Sequence, residues 1–423
     1  MHNKLNSANM YRLPWNLVDN AISWLEPTSK CNLYCDGCYR ENRAGSHKPL
    51  DEINRELDLF QRLRKTDSIS IAGGEPLSHP QIVDIVSMIR RRGWKPVINS
   101  NGALLSDDLL LRLKDAGIEG FTLHIDSGQN RPGWKGKNEL ELNELRLHYA
   151  EMLARAGDLS CSFNATVYPE NLHYMPQLLK WSQEHIDIVH VMVFIIYRMA
   201  ILGKGYDFYS GSQKVDFDDM MYSKADDNRR TDVSSQEVVD IIRQLYPDFQ
   251  PAAFLNGTEK PESFKWLLTG RFGNKHEIFG YATPWFLELI QTVKHLFTDS
   301  YLAYSNPKWL RRGRLILLLS LLDKGLGHIV KNYFRSATNN PKAFYSRIHY
   351  QSVLIIQPVD VYPNGQVNMC DGCPDITVWN DQLVWSCRME EQYRWGQNVR
   401  VVPKESEVET AEPKVYDDRN VIR

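Results

Sequence analysis

The sequence predicts an α/β fold: an open, partial (β/α)6 barrel carrying a mostly helical insertion and a small C-terminal cysteine-containing extension. Three observations predict it. Six short β-rich runs alternate with helix-like stretches between residues 20 and 200, the spacing of βαβ units and a parallel sheet. No seventh or eighth unit follows, so the barrel is expected to stay open. The polar, chemistry-bearing groups of this region fall just after the strands, where barrels of this kind place their functional loops.

The strands are read in order as "AISWLEP", "SISIAGG", "KPVINSNG", "FTLHID", "CSFNATVY" and "VHVMVFIIY", with helices such as "LDEINRELDLFQRLRK" and "HPQIVDIVSMIRRRG" between them. Residues 1–19 form an N-terminal segment and 20–200 the barrel core. Residues 201–350 are expected to be a mostly helical insertion, polar and acidic at first and then aromatic, leucine-rich and basic. Residues 351–401 are the extension, opening with a β-run and the hairpin-like "YPNGQV". Residues 402–423 are a charged tail.

The chain has 423 residues with 43% hydrophobic and 24% charged side chains, the balance of a globular protein with a substantial core. Its formal net charge of -2 argues against a nucleic-acid partner. No stretch near the start reads as a secretory signal, so cytoplasmic residence with reduced thiols is expected. The longest apolar run, "LILLLSLL", is far below the roughly 20 residues a bilayer crossing needs.

Six of the seven cysteines fall into two tight groups. "CNLYCDGC" supplies Cys31, Cys35 and Cys38 from one polar, bendable loop directly after the first strand. Thiolates bind soft metals, and three of them can hold three corners of a cuboidal iron–sulfur cluster while the fourth iron stays open to a small molecule. Structural zinc normally takes four ligands; His47 would have to complete such a site here.

C-x3-C-x2-C after a first strand resembles the signature of the radical S-adenosylmethionine (radical SAM) superfamily. The resemblance runs over roughly residues 20–200. It implies a 4Fe–4S cluster whose open iron binds S-adenosylmethionine, and reductive cleavage of that cofactor to a 5′-deoxyadenosyl radical by electrons from a donor such as flavodoxin or ferredoxin. "GGEP" at Gly73, Gly74, Glu75 and Pro76 is similar to the family's turn that receives the methionine ammonium. Ser100 and Asn101 in "INSNG" and Asp126 in "LHIDSG" are implied to lie near the ribose, and Asn164 in "SFNATVY" to face cofactor or substrate. For single Asn or Asp residues a turn-capping role is the competing reading. The chain departs from the pattern at Gly37, where the family usually has an aromatic residue.

Cys370, Cys373 and Cys387 form a second triad, C-x2-C-x13-C. It loosely resembles the auxiliary-cluster extensions called SPASM and twitch domains, which implies a second 4Fe–4S cluster. A zinc ribbon completed by Cys161, Asp371 or Asp375 is the alternative, although Cys161 also reads as a core residue. Residues 280–335 combine aromatic, leucine and basic residues, which suits peripheral membrane contact, a lid, or a helical layer packed on the barrel. Tyr197 and Arg198 end the sixth strand near the expected substrate mouth. The expected function is hydrogen abstraction from an unactivated C–H bond of a small molecule or lipid. A peptide-modifying maturase and a zinc-stabilised scaffold are the alternatives.

Overall fold

The computed structural model describes residues 4–197, 205–217, 220, 232–315, 319–320, 322–339 and 347–404. Arg198, much of the acidic stretch before residue 232 and the tail from residue 405 lie outside the described residues.

The six expected strands are present: β1 (Ile22–Thr28), β2 (Ser68–Gly73), β3 (Lys95–Ser100), β4 (Gly120–His124), β5 (Ser160–Val167) and β6 (Val191–Ile196). They lie side by side in chain order and all pair in parallel. Five helices cross between them: α1 (Leu50–Leu63), α2 (Ile82–Arg91), α3 (Asp107–Asp115), α4 (Asn143–Ala156) and α5 (Met175–Glu184). Local chemistry sets their limits. Asp51 and Glu52 occupy the first turn of α1, where carboxylates complement the helix dipole. Ser106 caps α3 by accepting from the Leu109 N–H at 3.2 Å. Ile53, Leu57 and Phe60 recur at helical spacing on α1 and are buried against Ile69, Ile71 and Ile98 of the sheet. Removing a ring such as Phe60 from that layer would cost about 3–5 kcal/mol.

The sheet does not stop at β6. His349–Ile356 pairs in parallel with β6. Beyond it Phe264–Gly273 and then Ala253–Asn256 pair antiparallel, and Tyr11–Arg12 closes the order. The region 201–350, expected to be mostly helical, therefore contributes strands to the sheet at Ala253–Asn256 and Phe264–Gly273. The physical reason is burial: Phe264–Gly273 is covered on both faces, so no polar/apolar alternation marks it as a strand. The helical part follows as α6 (Pro284–Thr298) and α7 (Lys324–Asn339). "YPNGQV" does form a hairpin, pairing Asp360 with Asn368.

The second cysteine group fills the seam between the two ends of the sheet. Cys370 pairs with Gly257, just past Ala253–Asn256, while Asn20, just before β1, donates to the Gly372 carbonyl at 3.1 Å. At the opposite end of the strands from the first cysteine group, Tyr304 closes the base of the barrel. Its hydroxyl lies 3.2 Å from Ser70 Oγ, and its carbonyl accepts from Lys95 Nζ at 2.9 Å.

Candidate active site

The first cysteine loop is held mainly by backbone. The Gly74 N–H donates to the Thr28 carbonyl at 2.9 Å and the Glu75 N–H to the Lys30 carbonyl at 2.8 Å. A Cβ on Gly74 would collide with the Ser29 and Lys30 carbonyls, and Gly73 has φ +102°. Only glycine permits both the approach and the conformation, so "GG" seats the start of the loop on the end of β2. Asn42 then clamps Cys31 on both sides: its Oδ1 accepts from the Cys31 N–H at 2.9 Å, and its Nδ2 donates to the Cys31 carbonyl at 2.8 Å. Further along, the Asp36 N–H donates to the Gly128 carbonyl at 2.9 Å, and the Tyr168 hydroxyl donates to the Asp36 carbonyl at 3.0 Å. The loop is thus fastened to the ends of β1, β2, β4 and β5.

All three thiols of this loop are free and half-buried. The Leu33 N–H points at Cys31 Sγ from 3.5 Å, and Asn101 Nδ2 reaches it at 3.9 Å. Burial pushes the Cys31, Cys35 and Cys38 thiols up, so bare thiolates are disfavoured until a cationic metal centre compensates them. Among the described residues no three His, Cys, Asp or Glu side chains converge on a point that could hold a single metal ion. His47 instead packs edge-on against His79, with ring centroids 5.2 Å apart.

Glu75 is fully buried, and its carboxylate accepts from Leu77 N–H at 2.9 Å, Ser100 Oγ at 2.7 Å and Asn101 N–H at 2.8 Å. Burial pushes its pKa up against these three donors. Glu75 therefore acts on the end of β3 and holds Asn101, whose Nδ2 donates to Asn32 Oδ1 in the cysteine loop at 2.7 Å. Pro76 opens the short 3-10 turn Pro76–Ser78 that follows.

Asp126 is buried after β4. Its Oδ2 lies 2.6 Å from His124 Nε2 and accepts from the Thr166 N–H at 3.1 Å, and its Oδ1 accepts from Gly128 N–H at 2.9 Å. Burial opposes its ionisation, but His124 and Thr166 outweigh it and hold the carboxyl below the usual range. Arg131, which spacing did not single out, donates to the Asn101 carbonyl at 2.6 Å and joins the β3 and β4 ends.

The sheet face opposite the helices is polar. Asn99 pairs in register with Thr122, Thr122 with Ser162, and His124 with Asn164. Asn99 Nδ2, Ser162 Oγ and Asn164 Oδ1 are buried without a hydrogen-bond partner, as is Trp24 Nε1. Orphaned buried polar atoms are costly and rare, and here they gather on the lumen side below the cysteine loop. They suit a bound polar ligand.

Cys370, Cys373 and Cys387 are free, and each interacts electrostatically with at least one other of the three. Gly372 permits their turn: it has φ +73°, and a Cβ there would collide with the Trp15 carbonyl. Of the alternative fourth ligands, Cys161 belongs to the helix-side core and Asp371 pairs with Arg12 at 2.8 Å. Asp375 interacts electrostatically with Cys373 and Cys387, and burial followed by Glu26 pushes it up to about 7.

A buried ion-pair network, unread in the sequence, links the two groups. Arg40, two residues past Cys38, reaches Glu26 at 2.6 Å, Glu390 at 3.4 Å and the Ser386 carbonyl at 3.0 Å. Ser386 precedes Cys387 and donates to Glu26 at 2.5 Å. The network's two halves, Glu26 with Arg40 and Ser386 with Glu390, lie about 350 residues apart, beyond any local spacing rule.

Against known proteins, the profile of the Radical SAM superfamily matches residues 25–182. The tungsten-containing aldehyde ferredoxin oxidoreductase cofactor-modifying protein of Pyrococcus furiosus is 33% identical over 99 residues, 23% of this chain and 28% of that protein. The PqqA peptide cyclase of Rhodopseudomonas palustris is 26% identical over 182 residues, 40% of this chain and 46% of that protein. Streptococcus suis SuiB, solved with its precursor peptide SuiA, aligns with a TM-score of 0.35 at 19% identity, covering 44% of this chain and 41% of that one. The chain spans less than half the length of each.

Proposed function

Because this chain belongs to the radical SAM superfamily through residues 25–182, we propose that it cleaves S-adenosylmethionine and uses the product to abstract hydrogen from an unactivated C–H bond of a small molecule or lipid. Cys31, Cys35 and Cys38 would hold the 4Fe–4S cluster. When bound, cluster and cofactor supply reductive sulfonium cleavage to a 5′-deoxyadenosyl radical, driven by a donor such as flavodoxin or ferredoxin. The observation that carries the reading is the fastening of the three-thiol loop: two glycines, Asn42 and Tyr168 hold its backbone, and none of the three thiols is in a disulfide.

The chain's own groups have separable duties. The segment Gly73, Gly74 and Pro76 would receive the methionine ammonium, with Glu75 positioning it through Ser100 and Asn101. Asp126, kept ionised beside His124, would accept ribose hydroxyls. Asn164 Oδ1, buried and unpartnered, would accept a donor from cofactor or substrate. Cys370, Cys373 and Cys387 would hold an auxiliary 4Fe–4S cluster in the barrel seam, with Asp375 as the carboxylate available to its fourth position.

Anaerobically reconstituted protein should be brown, carry about four irons per cluster, and change its electron paramagnetic resonance signal when S-adenosylmethionine is added. Cys35→Ala should abolish 5′-deoxyadenosine formation with dithionite, while Cys373→Ala should preserve basal cofactor cleavage. A colourless protein with stoichiometric zinc would leave the scaffold reading standing instead.

A further inference from the structure

The helical layer beneath the barrel packs with one face and leaves another bare. In α6, Phe286 and Leu287 are buried, and Phe286 meets Phe272 edge-on at 5.6 Å. Trp285, Leu289, Val293, Leu296 and Phe297 recur at helical spacing on the other side, with Leu296 76% and Phe297 84% exposed. Trp309, 62% exposed, and Leu322, 69% exposed, are further bare apolar side chains of the same helical layer. Thr283, which caps α6, donates to Asp323 at 2.9 Å, so Leu322 lies at the Trp285 end of the helix. An exposed apolar stripe of this kind marks an interaction site in a folded protein.

Its location is defined by ion pairs and hydrogen bonds to the residues just before the strands. His295 reaches Asp19 at 2.6 Å, Lys294 reaches Asp67 at 3.0 Å, Lys308 reaches Asp158 at 3.0 Å, and Asn306 donates to Glu119 at 3.2 Å. The layer therefore covers the base of the barrel, opposite the first cysteine loop, and Tyr304 seals the lumen behind it.

Charge selects the occupant. Between residues 280 and 335 eight lysines and arginines stand against three acidic residues, in a chain of net charge -2; two of the eight, Lys294 and Lys308, are already paired with Asp67 and Asp158 of the barrel base. Arg312 lies over the Trp309 ring at 4.7 Å, coupling a cation to an interfacial aromatic. Aromatic and leucine side chains flanked by cations match an anionic bilayer surface. Among the described residues no helix is long and apolar enough to cross a membrane, so the contact is peripheral.

We propose that the base of the barrel, centred on Leu296, Phe297 and Trp309, docks on an anionic lipid bilayer and leaves the cysteine mouth facing the aqueous phase. The dock is then a location device, separate from substrate entry.

The test is flotation of the anaerobically purified full chain with vesicles of phosphatidylcholine alone or with about one-third phosphatidylglycerol. Wild type should float with the anionic vesicles and sink with the neutral ones. The paired substitution Leu296→Glu and Phe297→Glu should abolish flotation while iron content and circular dichroism stay at wild-type values. Arg312→Gln should weaken partition roughly fivefold. Equal binding to neutral vesicles, or no flotation at all, overturns the proposal. So does a dimer in sedimentation that the paired substitution dissolves, since the stripe would then face a second copy. None of these readouts depends on S-adenosylmethionine cleavage, so the dock and the proposed activity fail independently.

Discussion

Tyr197, at the end of β6, occupies the space above Gly37 in the first cysteine loop: a Cβ built on Gly37 would run into the tyrosine ring. Gly37 also has φ +69°, a left-handed conformation that glycine adopts freely. The two facts explain the glycine where the superfamily usually has an aromatic residue. The ring arrives from the sixth strand, and it packs on Tyr168, with centroids 5.1 Å apart, while Tyr168 holds the Asp36 carbonyl at 3.0 Å.

The pairing predicts a non-additive result. Gly37→Ala should lower iron retained per chain to less than half, because strain and collision both displace the loop carrying Cys35 and Cys38. Tyr197→Gly in the same chain removes the collision and should restore part of the iron, a coupling expected only between residues in contact. Iron content after anaerobic desalting reads the outcome. Wild-type iron in Gly37→Ala, or no recovery in the double variant, would contradict the packing.

Arg40 yields a prediction about stability. Its guanidinium is buried with Glu26 and Glu390, and removing one partner of a buried pair strands the others without water. Arg40→Met should destabilise the protein by roughly 3–5 kcal/mol and lower iron occupancy in both cysteine groups, since Ser386 loses its place beside Cys387. Arg43, which also pairs with Glu390 but is one-third exposed, should cost less than about 1 kcal/mol when changed to Gln. Urea midpoints measured side by side decide it; equal losses would show that burial is not what gives Arg40 its weight.

The contrast between these residues also marks what the chain discloses by itself. The six core strands were legible because βαβ alternation is local; the triads and "GGEP" stand out in the sequence for a similar reason, since their members are close together along the chain. The seam was not legible. His349–Ile356 joins β6 from more than 150 residues away, and Phe264–Gly273 hides its strand character by being covered on both faces. Arg40, Arg131 and Tyr197 gain their roles from partners on distant elements, which no spacing within one segment encodes. The motif marks Glu75 for ligand binding; its three donors, Leu77 N–H, Ser100 Oγ and Asn101 N–H, come into view only in the fold.

His190, at the start of β6, carries the pH prediction. It is buried, its Nδ1 accepts from the Cys161 N–H at 3.0 Å, and burial, then Arg311 and His349, push its pKa down to about 3. In the unfolded chain the ring titrates near the ordinary 6.5. Between those values the unfolded state binds the extra proton, so stability is fully present above pH 6.5 and is lost as pH falls below it. The loss approaches about 1.4 kcal/mol per pH unit for this one group. His190→Asn keeps an acceptor for the Cys161 N–H and removes the titration. Denaturation midpoints taken anaerobically from pH 7.5 to 5 should therefore fall more steeply for wild type than for His190→Asn. Parallel curves would mean that the ring is protonated within the fold without penalty, contrary to its burial.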